Sequence, residues 1–240
     1  MISFTCRKSV SLLLLDKNFK RSISTCSDIK QLVEVSDEMK CQDIKGVKIW
    51  KDFITSDLEN KFVEEIDKRI SRISYQEGHW DNAIVGYREL EIQDRNWSED
   101  IAKVLSSLKL TAFNENDKCL SLTHVLDLSE NGFIKPHVDS VKFCGRAIAG
   151  ISLLSSSVMK FVNEEDENMW FKVILPRRSL YLMEGDARYK YTHEILKDEE
   201  SVCNGEHIKK GRRISVLNRT QVEQRFMPED IFKPTVFSLD

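Results

Sequence analysis

The sequence predicts an α+β protein in which helices lie against one face of an antiparallel β-sandwich or barrel. Two observations predict this fold class. In the first half of the chain, apolar residues recur near the helical period in two segments, and from residue 121 onward short apolar runs alternate with turn signals. Closely spaced short strands with few helical stretches between them are typical of sandwiches and barrels.

Two amphipathic helices are expected before the strands. Ser56, with Glu59 three residues later, forms a capping box that starts the first helix. Its apolar residues follow near the helical period, at Leu58, Phe62, Ile66, Ile70 and Ile73. The second helix starts at Ser98 and places apolar residues along one face, at Ile101, Val104, Leu105 and Leu108. Both helices are expected to have a structural role, packed on something larger.

Eight short strands are expected between about residues 121 and 220. Their apolar cores are the strings THVLDL, FIKPHVDSV, AIAGISLL, VMKFV, MWFKVIL, SLYLM, HEIL and RRISVL. Asn131 and Gly132 predict a turn between the first two strings. We expect a single domain over residues 28–240, because a chain of 240 residues suffices for one generous domain but not for two with linkers.

The composition excludes several classes of protein. Ordinary apolar content and a net charge of -3 exclude a disordered chain and give no overall attraction to phosphate backbones, so a nucleic-acid function needs a local basic patch. The 6 cysteines never form a C-x-x-C pair, which indicates free thiols in a reducing compartment. No apolar run approaches the roughly 20 residues that span a bilayer, so no membrane span is expected.

Residues 1–27 have the composition of a mitochondrial transit peptide. Serines are frequent, and the basic residues are opposed by Asp16 alone. These basic residues are Arg7, Lys8, Lys17, Lys20 and Arg21. A basic N-terminus without a targeting role is the alternative. A secretory signal is disfavoured, because the apolar segment is short and no small-x-small cleavage site follows it.

The stretch IKPHVDSVKF indicates a metal site. His137 and Asp139 are two residues apart, and on a strand their side chains project to the same side. Two histidines and one carboxylate form the facial triad that binds Fe(II) with open coordination positions. Among the 5 histidines, His193 is the best third ligand, because a strand that ends there could return beside the first. A surface pair of histidine and aspartate is the alternative interpretation of the triplet.

Two arginines in RRISVLNRT indicate an anion site. Arg213 and Arg219 are six residues apart and share one face of a strand, while Ile214 and Val216 point to the other. Arginine is suited to bind a carboxylate through two parallel hydrogen bonds. The alternative is that KKGRR forms a solvated basic turn or a nucleic-acid patch. That interpretation accounts for Lys209, Lys210 and Arg212, but not for a buried Arg213 in an apolar strand.

The combination of these residues resembles a known family. His137 and Asp139, then His193, then Arg213 followed by Arg219 form the pattern of the AlkB branch of the Fe(II)/2-oxoglutarate dioxygenases. The longer strings GFIKPHVDSVKFCG, AGISLLSSSVM, SLYLMEGDARY, HEILKDEES and GRRISVLN are similar to those of mitochondrial members of that branch in animals. The resemblance covers about residues 45 to 220.

The resemblance implies a double-stranded β-helix, or jelly-roll, with the N-terminal helices packed on one sheet. It also implies that Fe(II) is the metal and that 2-oxoglutarate is the co-substrate. Oxidative decarboxylation of 2-oxoglutarate would then drive hydroxylation of a C–H bond of the substrate. The implied metal ligands are His137, Asp139 and His193. The implied co-substrate contacts are Arg213 at the distal carboxylate, the Tyr181 hydroxyl, and Arg219 near the metal, where it steadies the other carboxylate or Asp139.

The chain departs from the bacterial demethylase pattern on the strand before His137. That pattern has an asparagine and a tyrosine there, whereas THVLDLSENGF has leucines at about those places. Co-substrate contacts from this strand are therefore left open.

The substrate is predicted from the segment at 75–97. Its acidic residues Glu77, Asp81, Glu89, Glu91 and Asp94 outnumber Arg88 and Arg95, a surface that repels phosphates. Trp80 and Trp97 could stack on bases, but packing roles are expected for both. We therefore predict a monomeric enzyme of the mitochondrial matrix that hydroxylates a protein substrate, and the resemblance implies a link to programmed necrosis and fatty-acid metabolism. A mitochondrial RNA demethylase and a non-catalytic interaction protein on the same fold are the alternatives.

Overall fold

A computed structural model describes residues 31–40, 43–78 and 83–222. The predicted transit peptide and Trp80 lie outside these ranges. The strands are β1 (Val33–Val35), β2 (Val47–Trp50), β3 (Ile84–Gln93), β4 (Leu122–His137), β5 (Ala147–Leu153), β6 (Ser157–Asn163), β7 (Trp170–Leu175), β8 (Leu180–Glu184), β9 (Tyr191–Ile195), β10 (Val202–Cys203), β11 (Glu206–His207) and β12 (Arg213–Arg219). The helices are α1 (Ser56–Ile70), α2 (Glu99–Ala112) and the short α3 (Gly185–Tyr189).

The strands form one antiparallel sheet that curls back on itself. The strand order is β1-β7-β6-β9-β4-β12-β5-β8-β2, with β3 paired to β4 and a separate β10-β11 hairpin. In a flat sheet β7 and β8, six positions apart, would be separated by roughly 29 Å at the usual strand spacing. Phe171 of β7 and Met183 of β8 nevertheless belong to one buried apolar cluster. The sheet therefore folds into two facing halves, and the predicted antiparallel sandwich is confirmed.

The helices cover the outer face of one half, as predicted. Phe62 and Ile66 of α1 and Ile101 of α2 are fully buried in one cluster with Ile214 and Val216 of β12. The two β12 residues alternate with side chains that point to the inner face, which is the period-two pattern expected of a strand. The helices thus close one side of the core and leave the inner face between the two half-sheets for a site.

The start of α1 differs from the prediction. The N-cap is Thr55, whose hydroxyl accepts a hydrogen bond from the backbone amide of Leu58. Glu59 does not cap the helix, because its fully buried carboxylate accepts hydrogen bonds from Arg177 Nε and from the amide of Leu154, the latter at 2.8 Å. A buried carboxylate binds a guanidinium and an amide in preference to the end of its own helix. The predicted capping box is therefore wrong.

The turn predicted at Asn131 and Gly132 is also wrong. β4 is continuous from Leu122 to His137, so the first two predicted strands are one. In the pairing with β3, Val85 lies opposite Phe133 and Tyr87 lies opposite Leu128. Between these two pairs β3 advances by two residues and β4 by five, so β4 bulges there. Gly132 serves this bulge, because a Cβ atom there would lie 2.4 Å from the carbonyl oxygen of Gly86. The asparagine–glycine pair therefore allows a close backbone approach and does not end the strand.

The run KKGRR is not a solvated basic turn. Lys210 is 2% exposed and donates to the carbonyl oxygens of Gly132 and Leu196. Arg212 pairs with the fully buried carboxylate of Asp127, with a shortest distance of 2.8 Å. Both side chains therefore hold the fold together, and the interpretation that grouped them with exposed Lys209 is wrong. Within the ranges that the structure describes, no helix is long and apolar enough to cross a membrane.

Candidate metal centre

Two histidines and an aspartate converge at the end of β4. His137, the last residue of β4, lies directly opposite His193 of β9 in the antiparallel register. Asp139 lies two residues beyond the strand, and its carboxylate oxygens are each 3.7 Å from an Nε2 atom, one of His137 and one of His193. The three potential ligand atoms all lie within 4.8 Å of one another. A divalent metal ion fits such a cluster.

The protonation states of these side chains suit a metal. His137 Nδ1 is 2.9 Å from the carbonyl oxygen of Lys135, and because a carbonyl only accepts, this nitrogen carries a proton and Nε2 is the nitrogen that faces Asp139. Burial, with the charges of His137 and Arg188, lowers the pKa of His193 to about 4, so its imidazole is neutral at neutral pH. Burial would raise the pKa of Asp139, but the hydrogen bond with His137 and nearby positive charges outweigh it and lower this pKa well below its usual range.

A buried guanidinium faces the same space from β12. Arg213 is 1% exposed, and its Nε donates to the hydroxyl of Ser152 at 3.0 Å. Burial lowers the pKa of Arg213, and the hydrogen bond with Tyr181 acts in the opposite direction. One terminal nitrogen of Arg213 has no partner among the described residues. A buried cation with an unused donor fits the carboxylate of a bound diacid.

Gly150 sets the position of Tyr181. The two residues are directly opposite each other in the pairing of β5 with β8. A Cβ atom at Gly150 would lie 2.7 Å from the hydroxyl of Tyr181, so only glycine lets the phenol ring lie against the β5 backbone. The hydroxyl is thereby held beside Arg213, and both side chains line the pocket.

Arg219 is held at the other end of β12 by a chain of hydrogen bonds. One of its terminal nitrogens donates to His124 Nδ1 at 2.9 Å. Because arginine only donates, His124 carries its proton on Nε2, which is 2.9 Å from a carboxylate oxygen of Glu89. The charge of Arg219 also contributes to the lowered pKa of Asp139. Arg219 and Asp139 thus line the same pocket.

These side chains line one pocket of about 90 Å³ between the two half-sheets. All six residues that the sequence singled out line it, namely His137, Asp139, Tyr181, His193, Arg213 and Arg219. The remaining wall is mostly apolar and includes Ile134, Ile148, Met159, Met183 and Leu217. The polar groups are therefore few and face a common space that is largely shielded from water.

The sequence interpretation missed His124, Glu89 and Ser152. His124 and Leu126 alternate on β4 and both line the pocket, so the strand that lacks the demethylase asparagine and tyrosine presents an imidazole and a leucine instead. The period of two along THVLDL could have indicated His124. Nothing in the sequence pairs Glu89 with His124 or Ser152 with Arg213, because the two members of each pair lie on different strands.

In the segment that precedes α2, one arginine and the tryptophan are engaged within the fold. Arg88 is engaged with the buried carboxylate of Asp127 at 2.9 Å. Trp97 is 6% exposed and packs edge-on against Phe62, as predicted for a core residue. Asp94 pairs with Lys109 at 2.5 Å. Neither the arginine nor the tryptophan is free to bind a nucleotide.

The curled antiparallel sheet and the site define an Fe(II)- and 2-oxoglutarate-dependent oxygenase. The model of the 2OG-Fe(II) oxygenase superfamily matches residues 69–219, and the chain belongs to this family. Its cofactor is Fe(II) and its co-substrate is 2-oxoglutarate, and the observed donor set fits both.

Individual relatives and solved structures of similar fold include AlkB homologues. The chain is 44% identical over 171 residues to the mitochondrial alpha-ketoglutarate-dependent dioxygenase alkB homolog 7 of Mus musculus. The aligned residues cover 71% of this chain and 76% of the relative. The same values hold for the protein of that name from Bos taurus. Among solved structures, OsALKBH1 has a TM-score of 0.52 at 14% identity, over 73% of this chain and 98% of the other. This likeness supports the predicted jelly-roll core.

Proposed function

We propose that this protein is a mitochondrial Fe(II)/2-oxoglutarate-dependent dioxygenase that hydroxylates a polypeptide. In this proposal His137, Asp139 and His193 bind the iron, and Arg213 with Tyr181 binds the distal carboxylate of 2-oxoglutarate. The observation that carries it is that the metal-ligand cluster and the buried Arg213 guanidinium line the same pocket. A three-ligand cluster lies at the end of β4, and a buried guanidinium with an unused donor faces the same cavity from the far end of β12.

When bound, iron and 2-oxoglutarate together activate dioxygen and supply the oxidising power for hydroxylation of a C–H bond. The residues of the chain contribute geometry and charge. Neutral His193 and anionic Asp139 keep the ligand atoms ready without a proton to displace at neutral pH. Arg213 orients the co-substrate by its acid end, and Arg219 adds positive charge near Asp139. The apolar wall excludes water from the reacting centre.

A polypeptide substrate is favoured over RNA because the side chains that could bind phosphates or bases are engaged within the fold. An enzyme that flips a base needs cations for the phosphates and free aromatic rings for stacking. Here Arg88 and Arg212 are both used by Asp127, and Trp97 is in the core. The net charge of -3 adds no general attraction to nucleic acid. Demethylation of mitochondrial RNA remains the second candidate function, because it would use the same iron chemistry.

The location and assembly state belong to the proposal as well. Relatives at 44% identity carry the word mitochondrial in their names, and the composition of residues 1–27 agrees with import. We propose the matrix as the compartment and a monomer as the assembly state. The link to programmed necrosis and fatty-acid metabolism stays a prediction of the resemblance.

The test is substrate-stimulated turnover. The purified protein is incubated with Fe(II), ascorbate, oxygen and 2-oxoglutarate, first with methylated RNA and then with peptides from a mitochondrial matrix digest, and succinate is measured. The proposal predicts stimulation by peptides and a mass increase of one oxygen atom on at least one of them. His137→Ala, which lacks a ligand, is the control and should form no succinate.

The outcomes separate the alternatives. Stimulation by RNA with release of formaldehyde would favour the demethylase. If neither substrate raises succinate above the level of His137→Ala, and His137→Ala still restores the phenotype of cells that lack the protein, the non-catalytic alternative is correct and the proposal fails.

A further inference from the structure

The fully buried side chain of Arg188 lies beside the metal centre but outside the lining of its pocket. It belongs to α3, which immediately precedes β9 and therefore His193. Its guanidinium donates to three backbone carbonyls. Nη1 donates to the carbonyl oxygen of Asp139 at 2.7 Å, and Nη2 donates to those of Ser140 at 3.4 Å and Cys144 at 3.3 Å.

Burying this charge without an acidic partner costs free energy. No carboxylate forms an ion pair with Arg188 among the described residues, and its Nε is buried without a partner there. A buried cation is ordinarily paired with an acid. Arg188 is instead surrounded by carbonyl dipoles and by the ring of Tyr189, whose centroid is 5.1 Å from the guanidinium carbon. An arginine that serves only as filler could be replaced by an apolar side chain without these costs.

The three carbonyls belong to the loop that carries Asp139. β4 ends at His137 and β5 begins at Ala147, so the aspartate lies outside the sheet and lacks the ladder hydrogen bonds that hold His137 and His193. The loop has few backbone bonds of its own, of which the amides of Phe143 and Cys144 donate to the carbonyl of Ser140. Arg188 thereby connects the two residues that follow Val138 with Cys144 in the later part of the loop.

We propose that Arg188 is a positioning residue that fixes the loop in the shape that presents the Asp139 carboxylate to the metal. The guanidinium of Arg188 donates to the carbonyl of Asp139 itself. The helix that carries Arg188, α3, is separated by one residue from β9, the strand that carries His193. The aspartate and the second histidine are thereby kept in a fixed relation, although 54 positions separate them in sequence. This inference rests on the proposed role of Asp139 as a metal ligand.

The test compares metal affinity with stability in four variants. Arg188→Met removes both the charge and the planar N–H donors of the guanidinium. Arg188→Lys keeps the charge but not the planar donors, and Asp139→Ala removes the proposed metal ligand. Arg177→Met is the matched control, because Arg177 pairs with buried Glu59 at the start of α1 and donates to no part of the loop. For each purified variant the Kd for Mn(II) is measured by electron paramagnetic resonance, the ligand-field spectrum is recorded with Co(II), and Tm is measured without metal.

The expected result is a loss of metal affinity that stability does not explain. Arg188→Met should raise the Kd for Mn(II) about 10- to 100-fold, as loss of an outer-shell partner does, and should change the Co(II) spectrum toward that of Asp139→Ala. Arg188→Lys should lie between Arg188→Met and the wild type. Arg177→Met should lower Tm but leave the Kd for Mn(II) and the Co(II) spectrum as in the wild type.

Two results would overturn the inference. If Arg188→Met binds Mn(II) within twofold of the wild type, or if Arg177→Met loses as much affinity, Arg188 has only a structural role. Should Arg188→Met fail to fold, Arg188→Lys decides, and wild-type affinity in that variant rejects the inference. Failure of the proposed function is distinct, because Asp139→Ala would then retain wild-type metal affinity.

Discussion

His137 lies directly opposite His193 in the antiparallel pairing of β4 with β9, and the centroids of their rings are 4.3 Å apart. Directly opposed residues on one face of a sheet have Cβ atoms only about 5 Å apart, which suits two ligands of one ion. A shift of this register by one residue would turn one imidazole to the other face. The site is therefore a property of strand pairing as much as of the residues themselves.

Replacement of His193 by alanine should remove tight metal binding. The loss of affinity should exceed the roughly 10–100-fold effect of losing an outer-shell partner, because a ligand itself is removed. Binding of Mn(II), followed by electron paramagnetic resonance, measures it. His207→Ala is the control, since this imidazole is exposed and bonds to the carbonyl oxygen of Asp198. Equal affinity in the two variants would contradict the assignment of His193.

Replacement of Arg213 by methionine should weaken 2-oxoglutarate binding and leave metal binding intact. Truncation of one partner of a buried, hydrogen-bonded charge pair costs about 2–5 kcal/mol, so the Kd should rise at least about 30-fold. Arg213→Lys should be intermediate, because lysine keeps the charge but not the planar fork. Calorimetric titration of the Mn(II)-loaded protein measures both. Wild-type affinity for 2-oxoglutarate in Arg213→Met would show that another cation binds the diacid.

Replacement of His124 by leucine should weaken co-substrate binding at the metal end of the site, because His124 holds Arg219. The leucine removes the acceptor for the Arg219 guanidinium and breaks its connection to Glu89. We expect the KM for 2-oxoglutarate to rise about tenfold with a smaller change in kcat. His124→Gln retains an acceptor and a donor and should restore part of the loss. An unchanged KM in His124→Leu would mean that Arg219 holds its position without the imidazole.

Replacement of Asp127 by asparagine should destabilise the fold. Its buried carboxylate accepts from Arg88, Arg212 and the hydroxyl of Tyr75. Loss of one member of a buried ion pair costs about 3–5 kcal/mol, which urea denaturation can measure. Asp100→Asn, which affects only an exposed pair with Lys61, should change the free energy of unfolding little. A small effect in Asp127→Asn would imply that the two arginines are available for other partners.

The free energy of unfolding should rise at alkaline pH because of Lys210. Burial lowers the pKa of its amine from 10.5 to about 8. Between these two values the unfolded chain binds more protons than the folded one, so the free energy of unfolding rises with pH across that window, by up to about 3 kcal/mol. The comparison of the wild type with Lys210→Met between pH 7 and pH 10 isolates this contribution. A difference between the two proteins that does not change with pH would contradict the lowered pKa.

The sequence was sufficient for the features that depend on local period. The helical faces of α1 and α2 and the two faces of β12 followed from spacing alone, because burial of one face imposes the period of the element. His137 and Asp139 were found by assuming the spacing of a strand, although β4 ends at His137 and Asp139 lies beyond it. The capping box and the turn at Asn131 and Gly132 were wrong, since each local signal competes with partners distant in the chain, Arg177 for Glu59 and the backbone of Gly86 for Gly132.

By itself the sequence singled out the candidate site residues: two imidazoles, a carboxylate, and arginines on the apolar strand β12. Only the tertiary structure decided how they meet and what supports them. It set His137 opposite His193, gave Lys210 and Arg212 buried partners, connected His124 to Arg219, and brought Arg188 to the carbonyl of Asp139. The physical reason is that hydrophobic period is a local property of the chain, whereas hydrogen bonds and ion pairs depend on strand pairing between residues far apart in sequence.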